Sequence, residues 1–412
     1  RTSPAGLMLS LLAHALTLAA CRHLHASRRD VAVAGSCGAF AAALPCGCAA
    51  DASRAAVATR VSAEWGATDG FDNANFISFN EDAYAAMRDD EGRTPVFEAA
   101  IRKRLAGRAG ELTVLDIGTG PYALLALIAA RAGAKKVYAV EASKEAAKRA
   151  RAAVMAARDV PAGRVQIVEG FSTEISLEEK ADLVLAEIIG SVASEEGLYA
   201  TLRDAQKRLV KRPNDPASYI PRGCQTLAAP ASFALHYTLG PPEYDWSKLR
   251  EPVRLNCRDQ TAELLSDPLI LEDVSFSSAS LPKAGRFAPA APLSFIVSEE
   301  RVQANAAAYR TELLKEGVPV DEARALSQGV ARSFSGLALW PRLIIDDDLA
   351  VESRGPLGEA RKSHWQTVLP LMAERPVEVG AGDKICVEAL IELGERISSP
   401  AKYFLKGEVL HG

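Results

Sequence analysis

The sequence has no excess of basic residues. Its 48 lysines and arginines are outnumbered by 52 aspartates and glutamates, so the formal net charge of the 412-residue chain is −4. A protein that captures nucleic acid through its overall charge needs the opposite balance. We therefore expect no direct binding of nucleic acid by the folded domains.

Closely spaced cysteine pairs are also missing. Four of the seven cysteines fall within the first fifty residues, and the other three (Cys224, Cys257 and Cys386) are scattered without a CxxC pair. Structural zinc sites rely on such pairs. The sequence therefore predicts a reduced, metal-free main body.

An apolar stretch well suited to spanning a membrane is absent as well. The run at residues 6–21 is short and rich in alanine, and a segment rich in Ala, Arg and Ser with few acidic residues follows it. This composition fits a targeting peptide and a low-complexity extension equally well. We expect residues 1–65 to lie outside the folded domains, and we expect no membrane binding by those domains.

Strand-like and helix-like segments alternate through residues 66–218. Four apolar segments have the length of buried strands, with helical patterns between them: LTVLDIGTG, KVYAVEAS, VQIVEGF and ADLVLAEII. This alternation is typical of a parallel, doubly wound sheet. The sequence predicts an α/β class with a Rossmann-like first domain.

Residues 219–412 have a different pattern, with short strand-like runs between clusters of Pro, Gly and Asp. Such a pattern favours a β-barrel or sandwich domain. Apolar residues at helical spacing interrupt it near residues 299–330, which predicts a helical insertion.

A glycine turn and an acidic residue predict a nucleotide site in the first domain. Gly118 and Gly120 follow the strand VLDIG, and Glu141 ends the next strand, where it could accept hydrogen bonds from both ribose hydroxyls. The alternative is an ordinary glycine turn beside a solvated glutamate. A dinucleotide would favour a third glycine, whereas a ligand without phosphates, such as S-adenosylmethionine, needs less of that anion cradle.

Three glutamates surround a short loop after the fourth strand. Glu187 ends the apolar run, and Glu195 and Glu196 follow the small-residue stretch. An exposed acidic loop at a helix start would explain Glu195 and Glu196, because the helix dipole favours acids there. It explains Glu187 poorly.

In this order, VLDIGTG, ARAGAKKVYAVEAS, ADLVLAEIIGS, EEG, YIP and SHWQTVLPL resemble the class I methyltransferases and, more narrowly, the protein arginine N-methyltransferases, over residues 70–412. EIIGS, DAQKRL and GDKICV are similar to the branch that makes symmetric dimethyl- or monomethylarginine. The resemblance implies S-adenosylmethionine as cofactor, a β-barrel after the Rossmann-like domain, and arginine-containing protein substrates. It leaves a homodimer open and implies a cytoplasmic or nuclear location, unless the N-terminal extension directs the chain to an organelle.

The resemblance also implies catalytic residues. Glu187 and Glu196 match the two family glutamates that bind the substrate guanidinium. Glu195 then has no role in substrate binding, and its charge is expected to be exposed. Two carboxylates suit this task because a guanidinium is planar and offers paired donors. His364 matches the family histidine of the Thr-His-Trp motif, which pairs with an aspartate, here Asp90.

Cofactor-binding residues follow in the same way. By the resemblance, Met87 lies beside the sulfonium of S-adenosylmethionine and Arg93 binds its methionine carboxylate. The glycine turn and Glu141 bind the remaining part of the cofactor. Several features depart from the family. Among them, the third glycine is missing from a loop that is one residue longer, and Thr173, or with a shift Glu174, replaces the adenine-binding acid.

Two other functions are compatible with the sequence. One is a class I methyltransferase acting on another small amine or on a hydroxyl, and the other is an inactive scaffold protein that keeps the fold. The paired glutamates and the SHW motif favour the arginine methyltransferase over both, whereas the altered glycine loop favours the scaffold.

Overall fold

The computed structural model describes most of the chain after residue 57. The described residues are 58–66, 80–242, 244–249, 251–257, 262–282, 285–287, 291–355, 357–393 and 401–412. Most of the predicted N-terminal extension lies outside these residues. Within them, no helix is both long and apolar enough to cross a bilayer.

The first described element is a strand of the C-terminal part of the fold. Strand β1 (Ala58–Gly66) pairs antiparallel with the last strand of the chain. Trp65 on this strand is buried and stacks on Tyr403, with 4.8 Å between ring centroids. The folded part therefore includes residues 58–65, which we predicted to lie outside it.

A parallel five-stranded sheet forms the Rossmann-like domain, in the order β4-β3-β2-β5-β6. In chain order its strands are β2 (Thr113–Ile117), β3 (Lys136–Glu141), β4 (Val165–Glu169), β5 (Leu183–Ala186) and β6 (Tyr219–Ile220). Every residue of β2 and β5 is buried, as expected for strands covered on both faces by helices.

Five helices accompany this sheet. They are α1 (Glu81–Arg88), α2 (Thr94–Leu105), α3 (Leu124–Arg131), α4 (Lys144–Ala156) and α5 (Leu198–Arg208). Asn80 caps α1 and Ser143 caps α4, each by accepting a hydrogen bond from a backbone N–H in the first turn. Ligands of such sheets bind beyond the carboxyl ends of the strands.

The β-rich domain follows almost at once, because β7 starts three residues after the end of β6 at Ile220. The chain therefore leaves the parallel sheet two residues later than the predicted boundary after residue 218. The strands of the β-rich domain are β7 (Gly223–Phe233), β8 (Val253–Asn256), β9 (Ala262–Leu264), β10 (Leu269–Ser275), β11 (Gly285–Phe287), β12 (Leu293–Ile296), β13 (Ser333–Phe334), β14 (Gly336–Ile344), β15 (Ala350–Glu352), β16 (Gln366–Leu369), β17 (Val377–Glu378), β18 (Lys384–Leu393) and β19 (Lys402–Leu410).

These strands form two larger antiparallel sheets and one short strand pair, in a barrel-like arrangement. A short helix α6 (Ala234–Thr238) follows β7. The predicted helical insertion is the pair α7 (Glu299–Lys315) and α8 (Val320–Ala331), which pack together around Leu313 and Ala323. The predicted fold class, a Rossmann-like domain followed by a β-barrel domain with a helical insertion, is confirmed.

Candidate active site

A cavity of about 660 Å³ lies between the two domains, at the carboxyl ends of the parallel strands. One wall is the glycine turn after β2 together with the end of β3. A second wall is the loop from Glu187 to Gly197, called the glutamate loop below. Helix α1 and residues around β8 and β16 close the remaining sides. Most of the predicted site residues therefore meet in one place.

The glycine turn is fixed by Glu141. Gly118 and Gly120 have φ angles of 74° and 64°, in the left-handed region where a side chain is strained. The N–H of Gly120 donates to Glu141 Oε2 at 2.9 Å, and the N–H of Ser143 donates to Oε1 at 2.8 Å. Burial raises the pKa of Glu141, and these hydrogen bonds oppose the increase. The carboxylate thus lies in the cavity wall and holds the turn.

The missing third glycine has a visible consequence. Ala123 lies just before α3 with φ of 44° and ψ of 41°, which is the left-handed conformation that glycine adopts at no cost. For an alanine this conformation costs about 1–2 kcal/mol. Ala123 is fully buried, so the packing around it holds this strained conformation.

Helix α1 covers the cavity and is attached to the same turn. The Tyr122 hydroxyl donates to Glu81 Oε1 at 2.5 Å, and Arg149 of α4 forms an ion pair with Glu81 at 2.5 Å. Tyr84 and Met87 on the inner side of α1 line the cavity. Residue Tyr122, which belongs to the altered part of the loop, thus ties the covering helix to the glycine turn.

Arg93 and Glu187 form a buried ion pair at the cavity. An Nη atom of Arg93 donates to Glu187 Oε2, and their side chains are only 6% and 9% exposed. Arg93 also donates to the carbonyl of Met87 at 3.3 Å. The predicted cofactor residue and the first predicted substrate glutamate are therefore neighbours, and Glu187 already binds one guanidinium.

Glu196 lies on the same cavity wall, at the end of the glutamate loop. Burial raises its pKa to about 8, the negative charges of Glu187 and Glu195 add to the increase, and Arg254 and Arg93 oppose it. Its carboxylate is therefore harder to ionise than that of an ordinary glutamate, and a cation beside it would favour the ionised form.

Glu195 is not the exposed charge that we predicted. Its side chain is 8% exposed and its Oε1 accepts a hydrogen bond from Arg254 Nη2 at 2.7 Å, while its Oε2 accepts from the N–H of Val192 at 3.2 Å. The reason is that β8 brings Arg254 against the loop from the other domain. Glu195 is a buried, paired residue rather than a surface residue at a helix start.

His364 and Asp90 join the β-rich domain to the segment after α1. His364 Nδ1 lies 2.7 Å from Asp90 Oδ2, and the His364 N–H donates to the same oxygen at 2.9 Å. Burial opposes ionisation of Asp90, but the hydrogen bonds from His364 outweigh it and lower the Asp90 pKa. Trp365 Nε1 donates to the carbonyl of Ile189 at 2.8 Å, which fixes the SHW segment to the glutamate loop.

Two predicted residues do not line the cavity directly. Asp90 reaches it through its neighbours, since its carboxylate binds His364 and its carbonyl accepts a hydrogen bond from the N–H of Arg93 at 3.1 Å. Thr173 does not line the cavity, whereas Phe171 and Ser172, which precede it in the chain, do. The N–H groups of Glu174 and Ile175 both donate to the carbonyl of Phe171, and this turn leads the chain away from the cavity. The structure therefore does not support Thr173 as a cofactor contact.

Residues missed by the sequence analysis come mainly from the other domain. Arg254 and Asn256 of β8 line the cavity, but nothing near them in the sequence indicates a site. Tyr122 lies in the altered part of the glycine loop, and that alteration is the sequence signal that could have indicated it. Within the described residues, no group of three or more His, Cys, Asp or Glu side chains could hold a metal ion.

Comparison with known proteins identifies relatives of the first domain. Residues 100–206 match the family Ribosomal protein L11 methyltransferase (PrmA). The chain is 37% identical over 124 residues to the Probable histone-arginine methyltransferase 1.4 of Arabidopsis thaliana, which covers 30% of this chain and 23% of that protein. It is 42% identical over 99 residues to the Protein arginine N-methyltransferase PRMT10 of the same plant, covering 24% and 25%.

A longer match joins this chain to the Protein arginine N-methyltransferase 7 of Gallus gallus, with 30% identity over 186 residues, or 43% of this chain and 25% of that protein. The chain thus spans about a quarter of the length of the curated relatives it matches.

Solved structures extend the similarity of fold to both domains. The Trypanosoma brucei PRMT1 enzyme-prozyme heterotetrameric complex with AdoHcy matches with a TM-score of 0.54 and 18% identity, over 75% of this chain and 87% of that one. The Arabidopsis thaliana protein arginine methyltransferase 10, in a uniquely open conformation, matches with a TM-score of 0.54 and 19% identity, over 79% and 96%. The resemblance is therefore confirmed: the chain is similar in sequence to protein arginine methyltransferases and has their two-domain fold.

Proposed function

We propose that this protein is a protein arginine N-methyltransferase, which transfers a methyl group from S-adenosylmethionine to guanidino nitrogens of arginine in protein substrates. The observation that carries the proposal is the meeting of Glu187 and Glu196 on one wall of the cavity that also contains the glycine turn and Glu141. A nucleotide-binding wall and a pair of carboxylates face the same space.

The chain's own residues fit the proposed cofactor. The turn at Gly118 and Gly120 allows close backbone approach, and Glu141 offers a carboxylate where a ribose diol would bind. Arg93 supplies a buried positive charge for the methionine carboxylate, and Met87 lines the same space. When bound, S-adenosylmethionine supplies the activated methyl group.

The glutamates would bind and orient the substrate. A guanidinium carries a permanent charge and donates hydrogen bonds in a fixed fork, so two carboxylates can hold it in one orientation. Glu196 would become ionised as the guanidinium arrives, since a nearby cation favours its charged form. Positioning and preorganised charge would then provide most of the rate enhancement.

His364 and Asp90 would act by position rather than by chemistry. Their hydrogen bonds hold the segment after α1 against the β-rich domain, and α1 covers the cavity. This arrangement would exclude water from the site and order Met87 and Arg93.

A small amine or a hydroxyl as substrate is less well supported. A hydroxyl carries no charge that would balance Glu196, and a small amine lacks the fork that two carboxylates can grip. Arginine-containing proteins are therefore the proposed partners. A homodimer and a cytoplasmic or nuclear location stay predictions.

Incubation with labelled S-adenosylmethionine and two peptides tests the proposal. The peptides would be identical except that every arginine of the first is a lysine in the second. We expect label only in the arginine peptide. Equal labelling of both, or transfer only to a small amine or alcohol, would contradict the proposed substrate.

Cofactor binding is expected to depend on Glu141. The change Glu141→Ala removes the acceptor for the ribose and the acceptor that holds Gly120, so S-adenosylhomocysteine should bind more weakly by roughly 1.5–3 kcal/mol. Isothermal titration calorimetry measures the loss. Glu145→Ala is the matched control, because it removes an equal charge from the exposed first turn of α4. Equal affinities for the wild type and Glu141→Ala would refute the nucleotide site.

A further inference from the structure

The glutamate loop is anchored to the β-rich domain through Glu195. Arg254 Nη2 and Nη1 lie 2.7 Å and 3.5 Å from the two carboxylate oxygens of Glu195. A backbone N–H of the loop itself, from Val192, binds the same carboxylate at 3.2 Å. The Glu195 side chain also packs against Gly190 so closely that a Cβ there would lie 2.7 Å from the Glu195 Cβ. Glu195 is thus an internal part of the loop.

A second set of contacts holds the residue before Glu195. Ser194 Oγ donates to Glu272 Oε1 at 2.7 Å and lies 2.8 Å from the Tyr403 hydroxyl. Thr226 donates to Glu272 Oε2 at 2.6 Å and accepts a hydrogen bond from the N–H of Ala193 at 2.9 Å. All five residues are buried. Since Glu272, Tyr403 and Thr226 belong to the β-rich domain, this domain fixes the backbone on which Glu196 is placed.

The charges around Glu196 follow a simple pattern. Glu187, Glu195, Arg93 and Arg254 are the charged groups that act on it from the glutamate loop, the segment after α1, and β8. Arg93 pairs with Glu187, and Arg254 pairs with Glu195. The opposite charges cancel within each pair. The carboxylate of Glu196 is therefore left to match the charge of an incoming guanidinium.

We propose that Arg254 is a positioning residue for methyl transfer, which fixes the glutamate loop across the domain boundary through Glu195 and supplies a positive charge beside Glu196. Arg254 itself need not touch the substrate. This inference rests on the proposed function for its kinetic consequence, while its structural consequence does not depend on the reaction.

The pair is expected to tune the ionisation of Glu196 in opposite directions. Arg254 lowers the pKa of Glu196 and Glu195 raises it. In the Arg254→Gln variant, Glu196 therefore ionises at higher pH, and in the Glu195→Gln variant it ionises at lower pH. Each shift should be about one pH unit, the lower end of the range for a neighbouring charge. A residue with a purely structural role would not produce shifts of opposite sign.

The kinetic test is the pH profile of kcat/KM for an arginine peptide, which reports groups of the free enzyme. The acid limb of the wild type should reflect Glu196. We expect it to move to higher pH in Arg254→Gln, to lower pH in Glu195→Gln, and to stay near the wild-type position in Arg254→Lys, which keeps the charge. Arg301→Gln removes an arginine from another ion pair of the β-rich domain, with Asp267, and should leave the profile unchanged. Shifts of the same sign, or none, in the two glutamine variants would overturn the proposal.

A direct titration separates this inference from the proposed function. Carboxyl groups labelled with ¹³C-glutamate can be followed by NMR, and the Glu196 signal can be assigned from its loss in Glu196→Gln. The same opposite shifts are expected in the protein without substrate. If the wild type transfers no methyl group to arginine peptides, the proposed function fails, and the titration still decides the role of Arg254. If transfer occurs but the Glu196 titration is unaffected by either variant, only the inference fails.

Discussion

Replacing Glu196 with glutamine is expected to lower methyl transfer to an arginine peptide by roughly 100-fold or more. Glutamine keeps the shape of the side chain and removes its charge, so the guanidinium loses one of two carboxylates that hold and polarise it. S-adenosylhomocysteine affinity should be nearly unchanged, because Glu196 is not among the proposed cofactor residues. Single-turnover rates and calorimetry measure the two effects separately.

The variant Glu187→Gln should show a loss of similar size, with an additional consequence. It leaves the buried guanidinium of Arg93 without its carboxylate partner. We nevertheless expect cofactor affinity to be kept, because the proposed cofactor carboxylate can still pair with Arg93. The matched control is Glu178→Gln, an exposed glutamate that pairs with Lys136 and does not line the cavity. Normal transfer by both Glu187→Gln and Glu196→Gln would refute the carboxylate pair, and with it the arginine substrate.

Breaking the contact between His364 and Asp90 is expected to lower turnover by about 10- to 100-fold, the usual effect of misplacing reacting groups. Asp90→Asn should weaken both hydrogen bonds, which end on one aspartate oxygen, whereas His364→Gln removes only the bond from the imidazole ring. Since both changes act on the contact between the ring and the carboxylate, the double variant should cost little more than Asp90→Asn alone.

Asp89→Asn is the control for this cycle. Asp89 is the neighbouring aspartate, but it is exposed and pairs with Arg88 on the surface, where solvent screens the ion pair. Its removal should leave turnover near the wild-type value. Losses that add fully in the Asp90 and His364 double variant would show that the two residues act independently.

The central sheet and its glycine turn could be predicted from local pattern alone. The apolar strands β2 and β5 are covered on both faces, so their sequences are continuously hydrophobic, and their ends carry the residues of the site. Gly118 and Glu187 follow these strands directly, and Glu141 is the last residue of β3. Because carboxyl ends of parallel strands meet at one edge of a sheet, their sequence positions were sufficient to place them together.

Contacts between the domains could not be predicted in this way. Val61 and Trp65 are the buried hydrophobic residues of strand β1. Its partner strand is at the other end of the chain, so the local sequence suggested an extension. The burial of Glu195 depends on Arg254, which arrives from β8. Nothing in the order EEG distinguishes a glutamate that pairs with a distant arginine from one that is exposed to solvent.

Locating the transferred methyl group by mass spectrometry tests the central claim most directly. An arginine-containing peptide would be incubated with the wild-type protein and S-adenosylmethionine carrying a deuterated methyl group, and the product would be fragmented. The account predicts the label on a guanidino nitrogen of arginine and its near absence when Glu196→Gln replaces the wild type. Label on any other group, or an unlabelled peptide in the presence of a protein that binds the cofactor, would contradict it.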